Sequence, residues 1–454
     1  MRRHRIARLV AAAAIAASPG TAPANAVTPP AIDEDRLPPS APAAPQYPAV
    51  QRAACTVPVL ASGRTATQLD GLDLAAAWAF SRGAGQRVAV IDTGVAAHRQ
   101  LPGLIGGGDY VSTGDGTRDC DGHGTLVAGI IAATTRSTPS ADMVADWFSG
   151  VAPLATVIGI RQSSQRFGAA GDLDGVGDVD TLAKAVRTAA DSGASVINIS
   201  AVACRSAATG LDDRALGAAL AYAVHVRRSV IVAAAGNIDH DCVAGQTTIV
   251  SPAWYDEYVL TVGSVDTHGA ASAFTLPSAW VDVAAPGEAV VSLSTVGDAL
   301  ADSLDGAALS GTSFAAPVVS GLAALIRSRF PDWTPRQVMD RIISTAHHPP
   351  GGRDDFVGAG VIDPVAALSS DSPIPASSTP APPPSGPAPT PGSAPAQQRP
   401  EPSVSPGPNA AASTGLRTAI TGTAVLVIVL LASSGARMVL NRRQRHGPTE
   451  PALD

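Results

Sequence analysis

The sequence lacks the basic blocks that a nucleic-acid-binding protein needs. Its 31 Lys and Arg residues are outnumbered by 38 Asp and Glu residues, which gives a formal net charge of -7. Nearly all of the positive charge is arginine, because Lys184 is the only lysine. The strongest basic clusters lie near the two ends of the chain. This balance argues against nucleic acid as a partner.

Long uncharged apolar runs are confined to the two ends of the chain. Residues 1–26, MRRHRIARLVAAAAIAASPGTAPANA, combine a basic head, an apolar stretch and a close of small residues. This arrangement predicts a secretory signal peptide that is cleaved after Ala26. An uncleaved anchor is the alternative, but the apolar run is short for a membrane span.

The C-terminal run, residues 419–436, carries no charged side chain and is followed by Arg437 and the arginines of the sequence NRRQR. Its length and its basic flank predict one transmembrane helix at 416–440, with a short basic cytoplasmic tail at 441–454. A buried core helix is the alternative. The preceding segment, 369–415, is rich in Pro, Ser and Ala and predicts a semi-rigid stalk rather than a proline-recognition ligand. Everything before the helix is then extracytoplasmic.

Cysteine is scarce. The chain has four cysteines: Cys55, Cys120, Cys204 and Cys242. No two of them have C-x-x-C spacing, so a closed zinc site has little support. An even number in an exported chain instead predicts two disulfides, and the sequence alone allows three pairings. No metal and no other cofactor is expected.

The middle of the chain alternates short apolar runs with helix-like stretches. The runs RVAVID, TVIGIRQ, SVINIS, SVIVAAAG and YVLTVGSV predict buried strands, and segments such as VDTLAKAVRTAADSGA between them have helical spacing. This pattern predicts one α/β domain at 71–368, a mostly parallel twisted sheet with helices on both faces. An N-terminal extension occupies residues 27–70.

Four polar residues stand at predicted strand ends and helix starts, where working groups gather in open α/β sheets. They are Asp92 in VAVIDTGV, His123 in DGHGTLVAG, Asn237 in AAAGNID and Ser313 in SGTSFAAP. Each alone has an ordinary structural interpretation, as a helix cap, a structural histidine, a turn residue and an N-cap. Together they supply every part of an acyl-transfer site.

The motifs DTGV, HGT, GN and GTSFAAP, in this order, resemble the signature segments of the subtilisin-like serine proteases, the subtilases. The resemblance covers roughly residues 71–368. It implies that Ser313 attacks the scissile carbonyl, that His123 moves the proton and that Asp92 orients the imidazole. It also implies an oxyanion hole made by Asn237 and the Ser313 N–H, with the peptide adding as a strand near residues 198–206.

The predicted signal peptide, stalk, C-terminal helix and paired cysteines are similar to those of the mycosins, membrane-anchored proteases of type VII secretion systems. This resemblance implies disulfides Cys55–Cys120 and Cys204–Cys242, a secretion membrane complex as partner, and exported proteins as substrates. The expected function is a membrane-anchored extracytoplasmic serine endopeptidase. A mainly structural component of the secretion complex with limited proteolysis is one alternative, and a general degradative protease is another.

Two segments carry further expectations. The extension is too short for an independently folding inhibitory propeptide, so it is expected to stay attached and wrap the domain. The insertion at 166–180 contains four acidic candidates for calcium ligands: Asp172, Asp174, Asp178 and Asp180. The insertion lacks the residues that an EF-hand has at its fifth and twelfth positions, which favours a flexible acidic loop over a calcium site.

Overall fold

The computed structural model describes residues 27–61, 66–135, 147–170, 175–239, 242–244 and 248–370. The predicted signal peptide, transmembrane helix and basic tail, and nearly all of the predicted stalk, lie outside the described residues. Every described residue belongs to one compact unit. None of the helices within the described ranges combines the length and the apolar character that a membrane span requires.

The strands, in chain order, are β1 (Val50–Gln51), β2 (Pro58–Leu60), β3 (Arg87–Asp92), β4 (Ile105–Asp109), β5 (Thr156–Arg161), β6 (Phe167–Gly168), β7 (Val196–Ile199), β8 (Ala203–Ser206), β9 (Val230–Ala234), β10 (Thr248–Ser251), β11 (Val259–Val265), β12 (Val283–Pro286), β13 (Ser292–Leu293), β14 (Leu300–Leu304) and β15 (Ala307–Ala308). The helices are α1 (Leu74–Ala77), α2 (His123–Ala132), α3 (Val179–Asp191), α4 (Arg214–His225), α5 (Thr312–Arg329), α6 (Pro335–Ser344) and α7 (Pro364–Ser369). Short 3-10 helices lie at Glu34–Arg36 and Asp70–Leu72.

The centre of the domain is a seven-stranded sheet in the order β12-β11-β9-β7-β3-β5-β4. All of its strand pairings are parallel. Each of the five predicted strands lies in this sheet. The prediction of a parallel α/β fold is therefore confirmed.

Both faces of the sheet are covered, because alternate residues of each strand point to opposite sides. On β3, Val88 and Val90 belong to an apolar cluster that includes α2 and α5. Ala89 and Ile91 belong to a second cluster that includes α3 and α4. Since neither face of the central strands meets water, these strands are almost uniformly apolar, as is usual for a parallel sheet, whereas the edge strand β4 is partly exposed.

The helices that cover the sheet begin in different ways. Asp178 is the N-cap of α3, and it shares a capping box with Thr181. In contrast, α2 follows Gly122 and α5 follows Gly311, and neither glycine has a side chain that could cap its helix. The first backbone N–H groups of α2 and α5 therefore need partners from elsewhere in the molecule.

The N-terminal extension contacts the domain through two short antiparallel pairings. β1 pairs with β6, and β2 pairs with the outer side of β14. Both partners of the extension lie in segments that flank the predicted active site. The extension is thus bound to the domain at these two strands, and the expectation that it wraps the domain stays a prediction.

Candidate active site

The structure brings the four predicted site residues to one edge of the sheet. Asp92 is the last residue of β3, and Asn237 follows β9. His123 is the first residue of α2, and Ser313 lies in the first turn of α5. The carboxyl ends of parallel strands and the starts of the following helices meet at this edge, which explains why residues far apart in sequence converge here.

Asp92, His123 and Ser313 form a continuous chain of hydrogen bonds. Nδ1 of His123 is 2.8 Å from Oδ1 of Asp92, and Nε2 is 2.9 Å from Oγ of Ser313. A carboxylate only accepts, so Nδ1 carries the ring proton and Nε2 is free to accept the proton of Ser313. The side chain of Asp92 is 3% exposed and that of His123 is 27% exposed. The histidine is thus open to a substrate while its partner is not.

Asn237 lies beside Ser313 with its amide held in one orientation. Its Oδ1 accepts hydrogen bonds from the backbone N and the Oγ1 of Thr312, both at 3.0 Å. This leaves its Nδ2 group as a donor on the side of Ser313. A Cβ placed on Gly311 would lie 3.0 Å from Oγ of Ser313 and 3.3 Å from Nδ2 of Asn237. The missing side chain of Gly311 therefore keeps open the space between Oγ of Ser313 and the amide of Asn237.

Comparison with known proteins shows the family. The model of the subtilase family matches residues 83–360. Mycosin-4 of Mycobacterium tuberculosis is 59% identical over 399 residues, which cover 82% of this chain and 85% of that protein. The chain belongs to the mycosins, within the subtilase family. Its enzyme class is that of the subtilisin-like serine proteases, and both predicted resemblances are confirmed.

Two solved structures of related chains have a fold similar to that of this mycosin. The MycP3 protease from the type VII (ESX-3) secretion system is 44% identical, with a TM-score of 0.70, and the match covers 76% of this chain and 100% of that chain. A chain in the periplasmic assembly from the ESX-5 inner membrane complex is 42% identical, with a TM-score of 0.70, over 85% of this chain and 100% of that chain. The fold is therefore subtilisin-like.

The electrostatics of the site favour a charged imidazole. Burial on its own lowers the pKa of His123, but the charge and the hydrogen bond of Asp92 raise it, with further contributions from Asp119 and Asp121. The net result is a pKa above the usual value of 6.5. A histidine of this kind takes up a proton readily and holds it as an imidazolium.

A series of buried hydrogen bonds, which the sequence analysis did not predict, leads to the backbone of Ser313. Oγ of Ser200 donates to the carbonyl oxygen of Ser313 at 3.0 Å, and Nδ2 of Asn198 donates to Oγ of Ser200 at 2.8 Å. Ser320, about two helical turns further along α5, donates to Oδ1 of Asn198 at 2.8 Å. Polar residues inside the apolar runs SVINIS and FAAPVVSG were the available signal, since buried polar groups need partners.

The extension contributes a wall to the cleft. A cavity of about 400 Å³ lies beside His123, and Thr56 and Arg166 are among its lining residues. The Nε and Nη2 groups of Arg166 donate to Oγ1 of Thr56, and Nη2 also pairs with Asp305. The backbone N of Thr56 donates to the carbonyl oxygen of Cys120 at 2.8 Å. The extension therefore borders the cavity next to the histidine loop.

Both disulfides that the resemblance implied are present. Cys55 bonds to Cys120, and Cys204 bonds to Cys242. The first joins the extension to the loop that precedes His123. The extension is therefore covalently fixed to that loop.

The acidic insertion is described only in part. Asp172 and Asp174 lie outside the described residues, while Asp178 caps α3 and accepts a hydrogen bond from Thr181. Across the described ranges, no group of three or more His, Cys, Asp and Glu side chains is arranged to hold a metal ion. The favoured interpretation of this insertion, an acidic loop, stays a prediction.

Proposed function

We propose that this mycosin hydrolyses peptide bonds with Ser313 as nucleophile, His123 as general base and acid, and Asp92 as the group that orients the imidazole. The observation that carries the proposal is the position of His123, which contacts both other side chains within hydrogen-bond distance. A nucleophile, a base and a group that orients the base are the parts that covalent acyl transfer needs.

In the acylation step, Oγ of Ser313 attacks the scissile carbonyl while its proton moves to Nε2 of His123. The tetrahedral adduct then collapses, the C–N bond breaks, and His123 gives the same proton to the leaving amine. In deacylation a water molecule gives a proton to Nε2 of His123 and attacks the acyl carbon. The bond from that carbon to Oγ of Ser313 then breaks, His123 returns the proton to Oγ, and the acid product leaves. The raised pKa of His123 supports this role, because the imidazolium must persist through each tetrahedral stage.

The oxyanion of each tetrahedral stage is assigned to the space that Gly311 leaves open. Nδ2 of Asn237 faces this space, and the backbone N–H of Ser313 lies in the first turn of α5, where N–H groups have no acceptor within the helix. Loss of such a donor costs about 2.7–4 kcal/mol of barrier in subtilisin, a member of the same family.

The substrate is proposed to be an exported protein that enters as an extended segment beside residues 200–202, between β7 and β8. The proposed place of action is the extracytoplasmic side of the membrane, with the chain tethered by the predicted helix at 416–440. Similarity to MycP3 from a type VII secretion system and to a chain of the ESX-5 inner membrane complex supports this assignment.

The test compares the full-length chain with its Ser313→Ala variant. A fluorophosphonate, which labels activated serines, should modify the wild type and leave the variant unlabelled. N-terminal peptide sequencing of the exported proteins of cells carrying each form should then show which cleavages depend on Ser313. Equal labelling of the two forms, or no labelling of either, would contradict the proposed mechanism.

A second candidate function is that of a structural component of the secretion complex. The observation that favours it is the related chain solved inside the periplasmic assembly of the ESX-5 inner membrane complex. Secretion that survives Ser313→Ala but is lost on deletion of the protein would favour this structural role. Loss of secretion in both strains would count against it.

A further inference from the structure

Asp119 is a carboxylate beside the site that the proposed mechanism does not use. It lies four residues before His123, in the sequence DCDGHGT. Oδ1 of Asp119 accepts hydrogen bonds from Oγ1 of Thr93 at 2.8 Å and from the backbone N of Gly122 at 2.7 Å. Oδ2 accepts from the backbone N of Thr125 at 2.8 Å and from its Oγ1 at 2.7 Å. Four donors therefore converge on one side chain.

These donors belong to the two segments that carry Asp92 and His123. Thr93 directly follows Asp92, and its backbone N donates to Oδ1 of Asp92 at 2.7 Å. The hydroxyl of Thr93 also accepts from the N of Gly124 at 3.0 Å. The turn after β3 is thus bound to the start of α2 through Thr93 and Asp119.

Asp119 also serves α2 in the place of an N-cap side chain. Gly122 precedes the helix with a positive φ of 84° and has no side chain to offer. Asp119 instead accepts from the N–H groups of Gly122 and Thr125, which lack acceptors within the helix. A negative charge at this end of a helix is also favoured by the helix dipole.

We propose that Asp119 is a positioning residue, which sets the distance between Asp92 and His123 by joining the turn after Asp92 to the first turn of α2. The proposal rests on the catalytic roles assigned to Asp92, His123 and Ser313. A base must be held within a few tenths of an ångström of its working position, and shell residues with fixed hydrogen bonds provide that precision.

The neighbouring Asp121 lies in the same loop but has different hydrogen-bond partners. Its carboxylate accepts from Oγ of Ser164 at 2.5 Å and from the backbone N groups of Gln165 and Arg166. These partners lie beyond β5, and among the described residues no hydrogen bond joins them to Thr93 or to α2. Asp121 fastens the histidine loop to the far wall of the cavity, whereas Asp119 fastens it to the segment of Asp92.

The ionisation of Asp119 supports the geometry. Burial raises its pKa to about 6, against the lowering effect of hydrogen bonds from Thr125 and Thr93, and the charge of Asp92 adds to the rise. Asp119, Asp121 and Asp92 are the carboxylates that raise the pKa of His123. Removing the charge of Asp119 should therefore lower the pKa of His123, which loss of a purely structural contact would not do.

The decisive experiment measures fluorophosphonate inactivation of the full-length chain and of Asp119→Asn across pH. The side-chain N–H₂ group of Asn cannot accept a hydrogen bond, so the donors of either Thr93 or Thr125 lose their acceptor. The hydrogen-bonded link between the turn after β3 and α2 is then broken. We expect the maximal inactivation rate to fall at least tenfold while the concentration for half-maximal rate changes less than twofold. The acid limb of the rate profile should move to lower pH. Asp115→Asn, in an exposed turn where the carboxylate accepts hydrogen bonds from Thr117, should behave as wild type.

Thr93 supplies an independent arm in case Asp119→Asn does not fold, which melting would reveal. Thr93→Val removes the hydroxyl that joins Asp119 to Gly124 and should reproduce the rate loss, and Thr93→Ser should recover most of it. Combined with Asp119→Asn, Thr93→Val should add little further loss, since both act on one join.

Several results would overturn the proposal. One is a folded Asp119→Asn variant whose maximal rate stays within twofold of wild type or whose acid limb does not move. Equal rates for Thr93→Val and Thr93→Ser would do the same. A wild-type chain that takes no label would overturn the proposed function itself. The results above presuppose a labelled wild type, so they would overturn only the role proposed for Asp119.

Discussion

The two faces of the central sheet differ in how their helices meet the rest of the molecule. On one face, every residue of α2 after His123 is buried, and α5 is buried continuously from Phe314 to Ile326. On the other face, α3 and α4 are amphipathic: α3 buries Leu182 and Val186 but keeps Lys184 exposed. Two of the three proposed catalytic side chains, His123 and Ser313, come from helices of the enclosed face.

This difference indicates what an enclosed helix offers a catalytic residue. Small residues allow α2 and α5 to pack tightly, as a Cβ on Gly129 would lie 2.3 Å from Oγ of Ser292 and one on Gly321 would lie 2.5 Å from Cβ of Val151. A helix in contact on all sides cannot shift without opening cavities or clashing. The half-exposed helices of the other face support the sheet but carry none of the proposed site residues.

The largest expected effect is on the rate of acylation. It comes from filling the space beside Gly311, at the start of α5. Gly311→Ala should reduce the rate of acylation at least 100-fold, about 2.7 kcal/mol of barrier, by blocking the proposed oxyanion position between Asn237 and Ser313. The melting temperature should change little, because the new methyl group meets side chains at the cleft rather than the core. Labelling by a fluorophosphonate and thermal melting measure the two quantities. The neighbouring exposed Ser310→Ala is the control and should keep wild-type labelling.

A second effect should appear inside the enclosed face. Ser320→Ala leaves Oδ1 of buried Asn198 without its donor, which should lower the free energy of unfolding by about 2 kcal/mol in denaturant titration. Ser328→Ala, near the solvent-facing end of α5, removes a hydrogen bond to Ala84 in an exposed setting and should cost less than half as much. Equal losses of unfolding free energy at the two positions would contradict the difference inferred between the enclosed and the exposed parts of α5.

Much of this arrangement could be predicted from the sequence. The buried strands were predictable because both faces of a parallel sheet are covered, which makes the strands short uninterrupted apolar runs. The positions of Asp92, His123, Asn237 and Ser313 were predictable because each ends a strand or begins a helix. Their hydrogen-bonded geometry and the contact of Thr312 with Asn237 came only with the structure.

The wall of the cavity and the role of Asp119 were not predictable, for physical reasons. Thr56 and Arg166 are 110 residues apart in the chain, and β1 and β2 are too short to show any periodicity. Asp119 and Asp121 are alternate residues of one acidic loop, so no local pattern separates their roles. Only the contacts of each carboxylate, one with Thr93 and the other beyond β5, distinguish them.

A third prediction concerns the pH dependence of the enclosed site. His123 must be neutral to accept the proton of Ser313, and its pKa lies above 6.5. The inactivation rate should therefore fall about tenfold per pH unit below a midpoint above pH 6.5. Asp92→Asn removes the main charge that raises this pKa, so the midpoint should move to lower pH while the maximal rate also falls. A wild-type midpoint well below 6.5 would contradict the balance of burial and charge inferred for the site.

The smallest expected effect is on the free energy of unfolding, at the solvent-facing side of α3. Arg187 on α3 pairs with Asp191 one turn later at 2.7 Å and lies over the ring of Tyr222. Because the pair is partly open to water, Arg187→Ala should lower the free energy of unfolding by less than about 1 kcal/mol, and by less again at high salt. The labelling rate of Ser313 should not change, since α3 carries no proposed site residue. A change in that rate would mean that a substitution on α3 affects Ser313 through the sheet. The two faces of the sheet would then be coupled, and the comparison between them would fail.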